Sequence, residues 1–161
     1  MRIISHRGFW RSAEEKNKIE AFRHSFSQGY GTETDIRDYQ GKLVISHDIA
    51  DSSCMTLDAF LTCYKEYEGD FPLALNIKAD GLQTQLKEAL ERFSVRNYFV
   101  FDMAVPDGVQ YLKYGFPIYT RQSEYEPAPS YYEEAVGIWL DEFHSHWIDL
   151  ATLEKHLRNQ K

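Results

Sequence analysis

Short apolar runs of strand length alternate six times with segments of helical periodicity along this 161-residue chain. Strands that alternate with helices imply a parallel sheet covered by helices, because parallel neighbours need a crossover between them. Arg2 to Ser5 reads as the first strand. Ser12 followed by Glu15 forms a capping-box pattern, Ile19, Phe22 and Phe26 recur at helical spacing, and Gly29 marks the stop. Gly31 to Ile36 reads as the second strand, followed by a hairpin-type excursion over Asp38 to His47 that turns at Gln40-Gly41. Thr56 is placed to cap a helix that buries Leu57, Phe60, Leu61 and Tyr64. Pro72 to Lys78, Asn97 to Asp102, Phe116 to Thr120 and Val136 to Asp141 read as the remaining strands. Between them Leu82, Leu86, Leu90 and Phe93 mark one helix, and Val109 to Tyr114 a shorter one. Ser123 to Ser130 carries two prolines and reads as a loop, and Leu150, Leu153 and Leu157 mark the last helix.

This order fits an open doubly wound sheet or most of a barrel. No GxGxxG or P-loop pattern follows any strand, which weakens the nucleotide-binding version of the former. With 43% hydrophobic and 15% aromatic residues the chain can fill a core, so disorder is excluded, and one domain over 1–161 is expected. Eighteen Lys and Arg against 25 Asp and Glu give a net charge of −7. That balance argues against nucleic acid or an anionic membrane as the main partner and leaves room for a local basic pocket. Cys54 and Cys63 are too few for a disulfide framework and are expected as free thiols. No apolar run reaches membrane-spanning length and the first residues lack a signal-peptide core, so a cytoplasmic protein without membrane insertion is expected.

In parallel α/β folds ligands sit beyond the carboxyl ends of the strands. Strand one ends at His6-Arg7-Gly8, strand two carries Glu33 and Asp35 on one face, and strand three ends with Asn76 and Lys78, again co-facing. The excursion after strand two delivers His47-Asp48. Each has a plainer reading. His6 alone fits a strand-end histidine, Lys78 an ion pair, and His47-Asp48 a turn and helix cap. Two co-facing carboxylates on a buried strand, however, repel and carry a desolvation cost unless a cation or basic partner lies between them. As a set, hard carboxylate and amide oxygens suit Mg²⁺ or Ca²⁺. Two histidines can supply one acid and one base, and Arg7 with Lys78 can stabilise phosphoryl oxygens. This is the equipment of metal-assisted phosphodiester cleavage.

The second half is less pointed. Arg121 closes strand five and either reaches the same rim to bind an anionic group or is held by Glu124 or Glu126. Trp139 reads as packing, and His144 and His146, without a third ligand, as a solvated loop. Phe9-Trp10 suits either contact with a lipid or alcohol moiety or packing over the site.

The chain resembles the glycerophosphodiester phosphodiesterase family of the phospholipase C-like phosphodiesterases. The residues that carry the resemblance are His6-Arg7-Gly8, Asn17 to Phe22 ahead of Gly29, Glu33-Thr34-Asp35, Gly41 to Asp48 and Asn76-Ile77-Lys78. They span nearly half the chain. The resemblance implies a (β/α) barrel of TIM type and a divalent cation, Mg²⁺ or Ca²⁺, used to cleave small glycerophosphodiesters of lipid metabolism. It implies His6 and His47 as the acid/base pair, Glu33, Asp35 and Asn76 at the metal, and Arg7 and Lys78, with Arg121 as a further candidate, at the phosphate. Three departures stand out. Asn76 occupies a position where the family has Glu, Lys16-Asn17-Lys18 stands for Glu-Asn-Thr, and six strands are visible where eight are expected in at least about 200 residues. The barrel is therefore expected to be incomplete or reduced, through truncation, a reduced fold or closure by a partner chain; an open one allows an oligomer. Two alternatives to hydrolysis accompany this reading: a lyase that releases a cyclic phosphate, and a catalytically impaired barrel that binds a phosphorylated ligand.

Overall fold

The computed structural model describes residues 2–161. Its elements are β1 (Ile4–His6), a 3-10 turn (Ala13–Glu15), α1 (Ile19–Ser27), β2 (Gly31–Tyr39), β3 (Lys42–Ile45), β4 (Met55–Thr56), α2 (Leu57–Lys65), β5 (Leu73–Ile77), α3 (Gln83–Arg92), β6 (Tyr98–Phe101), α4 (Val105–Lys113), β7 (Tyr119–Gln122), β8 (Gly137–Leu140) and α5 (Leu150–Arg158). The class is α/β with a parallel sheet, as the alternation requires.

β2 organises the rest. Its first residues pair in parallel with β1 and with β5, while Ile36 to Tyr39 leave β1 behind and pair antiparallel with β3. The hairpin turns at Gln40 and Gly41, both at positive φ, which is where a two-residue turn needs a glycine. β6 pairs with β5, and a single bridge from Val100 to Ile118 links β6 to the parallel pair β7–β8. The parallel strands thus lie side by side in chain order. Among the described residues no pairing joins β8 back to β1, so the sheet is open and a closed TIM barrel is not formed. The β3–β4 pairing, with β4 only two residues long, escapes sequence reading.

Period-2 alternation divides the side chains. Leu73, Leu75 and Ile77 of β5 face the helices and join Phe22, Phe26, Phe60, Leu86, Tyr111 and Ile118 in the main core. Ala74, Phe99 and Phe101 form a smaller cluster with Tyr119 and Trp139 on the other face. There Phe99 stacks on Tyr119 at 3.8 Å and Phe101 on Trp139 at 4.0 Å. Trp139 is therefore packing, as its position suggested.

Local departures have local causes. Ser12 makes no side-chain cap, and Glu15 Oε2 accepts from the Arg11 N–H instead, so the capping-box pattern closes a 3-10 turn ahead of α1. Thr56 does cap α2, accepting from the Ala59 N–H at 3.2 Å. The fifth strand starts at Tyr119, later than expected: Phe116 turns into the helix-side core against Tyr111, and Pro117 has no N–H to give. Cys54 and Cys63 are unpaired. No helix among the described residues is long and apolar enough to cross a membrane.

Candidate active site

At the end of β1 the chain must leave the sheet at once. Arg7 and Gly8 both take positive φ (57° and 89°), and a Cβ on Gly8 would lie 2.6 Å from the Ala21 Cβ, so glycine is required there. The turn is pinned by Gly8 N–H donating to Thr32 Oγ1 and Arg7 N–H donating to Glu33 Oε2 at 3.1 Å. It leaves His6 exposed at the rim and sends the Arg7 side chain across the strand ends.

The alternation of β2 and β5 then puts Glu33, Asp35, Asn76 and Lys78 on the face opposite the main core. Glu33 and Asp35 are buried. Asn76 Nδ2 donates to Glu33 Oε1 at 3.2 Å, and His6 Nε2 lies 3.8 Å from Glu33 Oε2. Asp35 Oδ2 accepts from Asn17 Nδ2 at 2.8 Å and lies 2.9 Å from Arg7 Nε, an ion pair by proximity without directed hydrogen-bond geometry. Lys78 Nζ sits 3.9 Å from Asp35 Oδ1 and 2.7 Å from Asp102 Oδ2. Burial, followed by the neighbouring Asp35 charge, pushes the Glu33 carboxyl up to about 7. Burial and the Arg7 and Lys16 charges push His6 down, so its imidazole is neutral near pH 7 and the 3.8 Å approach to Glu33 is not a standing ion pair.

His47 arrives from the hairpin. Ser46 N–H donates to the Asp35 carbonyl, Arg37 donates to the His47 carbonyl, and His47 Nδ1 is 2.8 Å from Asp48 Oδ1. Its positive charge when protonated is one of the influences that lower His6. His47, Arg7 and Asn17 share the wall of a cavity of about 550 Å³.

Two buried oxygens here have no hydrogen-bond donor: Asp35 Oδ1 and Asn76 Oδ1. Orphaned buried acceptors of this kind are uncommon, and a carboxylate and an amide oxygen beside a second carboxylate are hard donors suited to Mg²⁺ or Ca²⁺. The residues present fit a divalent cation in donor type. They supply fewer charges than a dedicated site, since among the described residues no cluster of three His, Cys, Asp or Glu is arranged to hold a metal.

Arg121 sits at the same rim, engaged on both sides by Asp102 and Glu126. Asp102 is the rim residue that sequence reading missed. It is the first residue after β6, where period 2 places it with the core-facing Val100, so no alternation signal in the sequence points to it. Its φ of 72° breaks the strand and aims the carboxylate between Lys78 and Arg121. His144 and His146 lie in an exposed loop, with His146 paired to Glu142.

No protein-family profile matches the sequence, and no curated protein does. Solved structures share the fold. The "putative glycerophosphodiester phosphodiesterase" of Galdieria sulphuraria superimposes with a TM-score of 0.68 at 14% identity, over 86% of this chain and 74% of that one. The glycerophosphodiester phosphodiesterase of Agrobacterium tumefaciens str. C58 gives 0.60 at 20% identity, over 76% and 67%. At these identities the likeness establishes a common fold.

Proposed function

We propose that this chain is a phosphodiesterase acting on small glycerophosphodiesters. The observation that carries the reading is the meeting of His6, Arg7, Glu33, Asp35, Asn76 and Lys78 on one rim, with two orphaned acceptor oxygens at its centre. The names of the structural neighbours support the same class.

In this reading Arg7 and Lys78 face the phosphoryl oxygens, with Arg121 behind them, and Asp35, itself bonded by Asn17 Nδ2, holds the Arg7 guanidinium in place. Glu33, Asp35 and Asn76 would hold a Mg²⁺ or Ca²⁺ ion, which when bound supplies Lewis-acid polarisation of the phosphoryl group. His6, held neutral, accepts a proton from the attacking water. His47, whose Nδ1 faces the Asp48 carboxylate, donates one to the departing alcohol. One P–O bond forms from water, one breaks to the alcohol, and the products are a phosphomonoester and a free alcohol. A phosphorylated-ligand-binding module is the second reading, favoured by the lack of a three-residue metal cluster among the described residues and by Asp35 already facing two cationic side chains.

³¹P NMR with a panel of glycerophosphodiesters, in Mg²⁺, Ca²⁺ or EDTA, separates these. A metal-dependent phosphomonoester signal that falls by about 10²–10⁴ in His47→Ala establishes hydrolysis. A cyclic phosphate product moves the assignment to a lyase, and no product from folded protein leaves the binding module.

A further inference from the structure

The cavity beside His47 is lined by positive charge in a chain whose net charge is −7. Lys16 and Lys18, on the loop that leads into α1, line it together with Arg7 and His47. Among the described residues neither lysine makes a salt bridge. Lys16 Nζ lies instead 4.6 Å from the centre of the Trp10 ring, and the Trp10 indole N–H donates to the His6 carbonyl at 2.7 Å. That ammonium is thus positioned by an aromatic face beside the acid/base residue, with no counter-charge to give up on meeting an anion. Arg121 differs, because it would have to release Asp102 or Glu126. Two carboxylates also line the cavity. Asp48 is engaged by His47 Nδ1, and Glu20 is exposed on the first turn of α1.

We propose that this cavity receives the alcohol side of the substrate, and that this alcohol carries a second anionic group, a phosphate or a carboxylate, held by Lys16 and Lys18. The proposal rests on the phosphodiesterase reading for the position of the scissile phosphate, between Arg7 and Lys78. It assigns Lys16 and Lys18 to substrate selection: an anionic alcohol gains two point-charge contacts, a neutral one gains none, and a cationic one is repelled.

The test uses diesters of glycerol phosphate with choline, glycerol, glycerate and glycerol phosphate as the second alcohol. kcat/KM is expected to rise from choline to glycerol to the two anionic alcohols. The step from glycerol to either anion is about tenfold, the size two partly exposed ion pairs supply together. Lys16→Gln with Lys18→Gln is expected to bring that ratio towards one, and the glycerate and phosphate arms tell which anion the site prefers. A wild-type ratio near one, or a ratio the double variant keeps, overturns the proposal. Calorimetric titration of His47→Ala protein with the same four diesters reads the lysines without turnover. If no diester is cleaved by wild type but the titration shows charge-dependent affinity that the lysine substitutions abolish, the phosphodiesterase reading fails and the lysine site stands. Charge-independent affinity overturns the lysine site whatever the turnover.

Discussion

β2, β5 and β6 lie side by side over five and then four paired positions, and Leu73, Leu75 and Val100 are fully buried under the helices. β7 and β8 pair with each other over four positions but reach β6 through the one bridge at Val100–Ile118, and the helix that follows them leaves Leu150 and Leu157 each 71% exposed. The charges divide the same way. In the first half Glu33 and Asp35 are buried and Asp35 Oδ1 and Asn76 Oδ1 lack donors. Asp107 Oδ2 on α4 is likewise buried without a donor, but along β7, β8 and their loops charges are satisfied by one another or by backbone: Arg121 by Asp102 and Glu126, and Glu124 by the N–H groups of Phe143, His144 and Ser145, which hold its carboxyl down at about 2. A rigid frame can keep buried polar groups unsatisfied; a loosely attached one settles its charges locally. The groups proposed to react therefore belong to the first half, and Asp102 and Arg121 of the second half wall one side of the rim.

The sharpest break in this comparison is expected in the core. Phe60 is completely buried, edge-on to Phe22 at 4.6 Å and tilted to Phe26 at 6.3 Å. Phe60→Ala should cost about 3–5 kcal/mol in urea unfolding, through lost transfer free energy and the cavity left between α1 and α2. A cost under about 1 kcal/mol would mean that the first half is not the stable frame.

Next in size is the buried carboxylate. The Glu33 carboxyl titrates at about 7 in the fold, against an ordinary value of 4.5. Between those values the native state holds the proton more tightly, so the stability Glu33 contributes is present below pH 4.5 and is lost as pH rises through about 7. Wild type should lose about 3 kcal/mol relative to Glu33→Gln across that window, at about 1.4 kcal/mol per pH unit. Parallel urea curves at pH 4.5 and 8 check this. An equal stability difference at both values would show that folding does not raise the Glu33 carboxyl.

How far the sequence revealed these groups depends on which force set each position. Glu33, Asp35, Asn76 and Lys78 were legible because period 2 in a buried parallel strand leaves no freedom about which face a residue takes. The parallel order was legible from the alternation alone. Openness of the sheet was hinted at only by counting strands, since pairing between β8 and β1 depends on sequence-distant geometry. Asp102 was missed because alternation places it with Tyr98 and Val100, and only its left-handed backbone turns it to the rim. Arg121 was seen as a rim residue, but its two partners come from β6 and from a loop, a meeting no local pattern encodes.

A smaller effect is expected where the second half does hold a buried polar group. Asn159 Nδ2 donates to Tyr132 Oη, Tyr132 Oη donates to His156 Nδ1 at 3.0 Å, and His156 Nε2 donates to Gln122 Oε1 at 2.7 Å. The chain needs a neutral imidazole, and burial followed by the Lys155 charge holds His156 low enough to supply one. His156→Ala strands Gln122 Oε1 and should cost about 1–3 kcal/mol. Because α5 is hydrogen-bonded to Tyr132 and Gln122 of this half, the loss should speed amide exchange in α5 and leave β5 protected. Equal acceleration in both would mean that the two halves unfold as one unit.

The smallest expected effect bears most directly on how the second half lives in solution. Leu150 and Leu157 are each 71% exposed on α5, with Leu153, 40% exposed, between them on the same stripe. A leucine that stays in contact with water has little transfer free energy to lose, so Leu157→Ser should change stability by no more than about 0.5 kcal/mol. Serine is also a somewhat poorer helix former, which sets the floor of the effect at a few tenths of a kcal/mol. A loss above about 1 kcal/mol that grows with protein concentration would instead mean that the stripe is buried between chains. The open edge of β8 and the bare face of α5 would then be one surface, covered by a second copy.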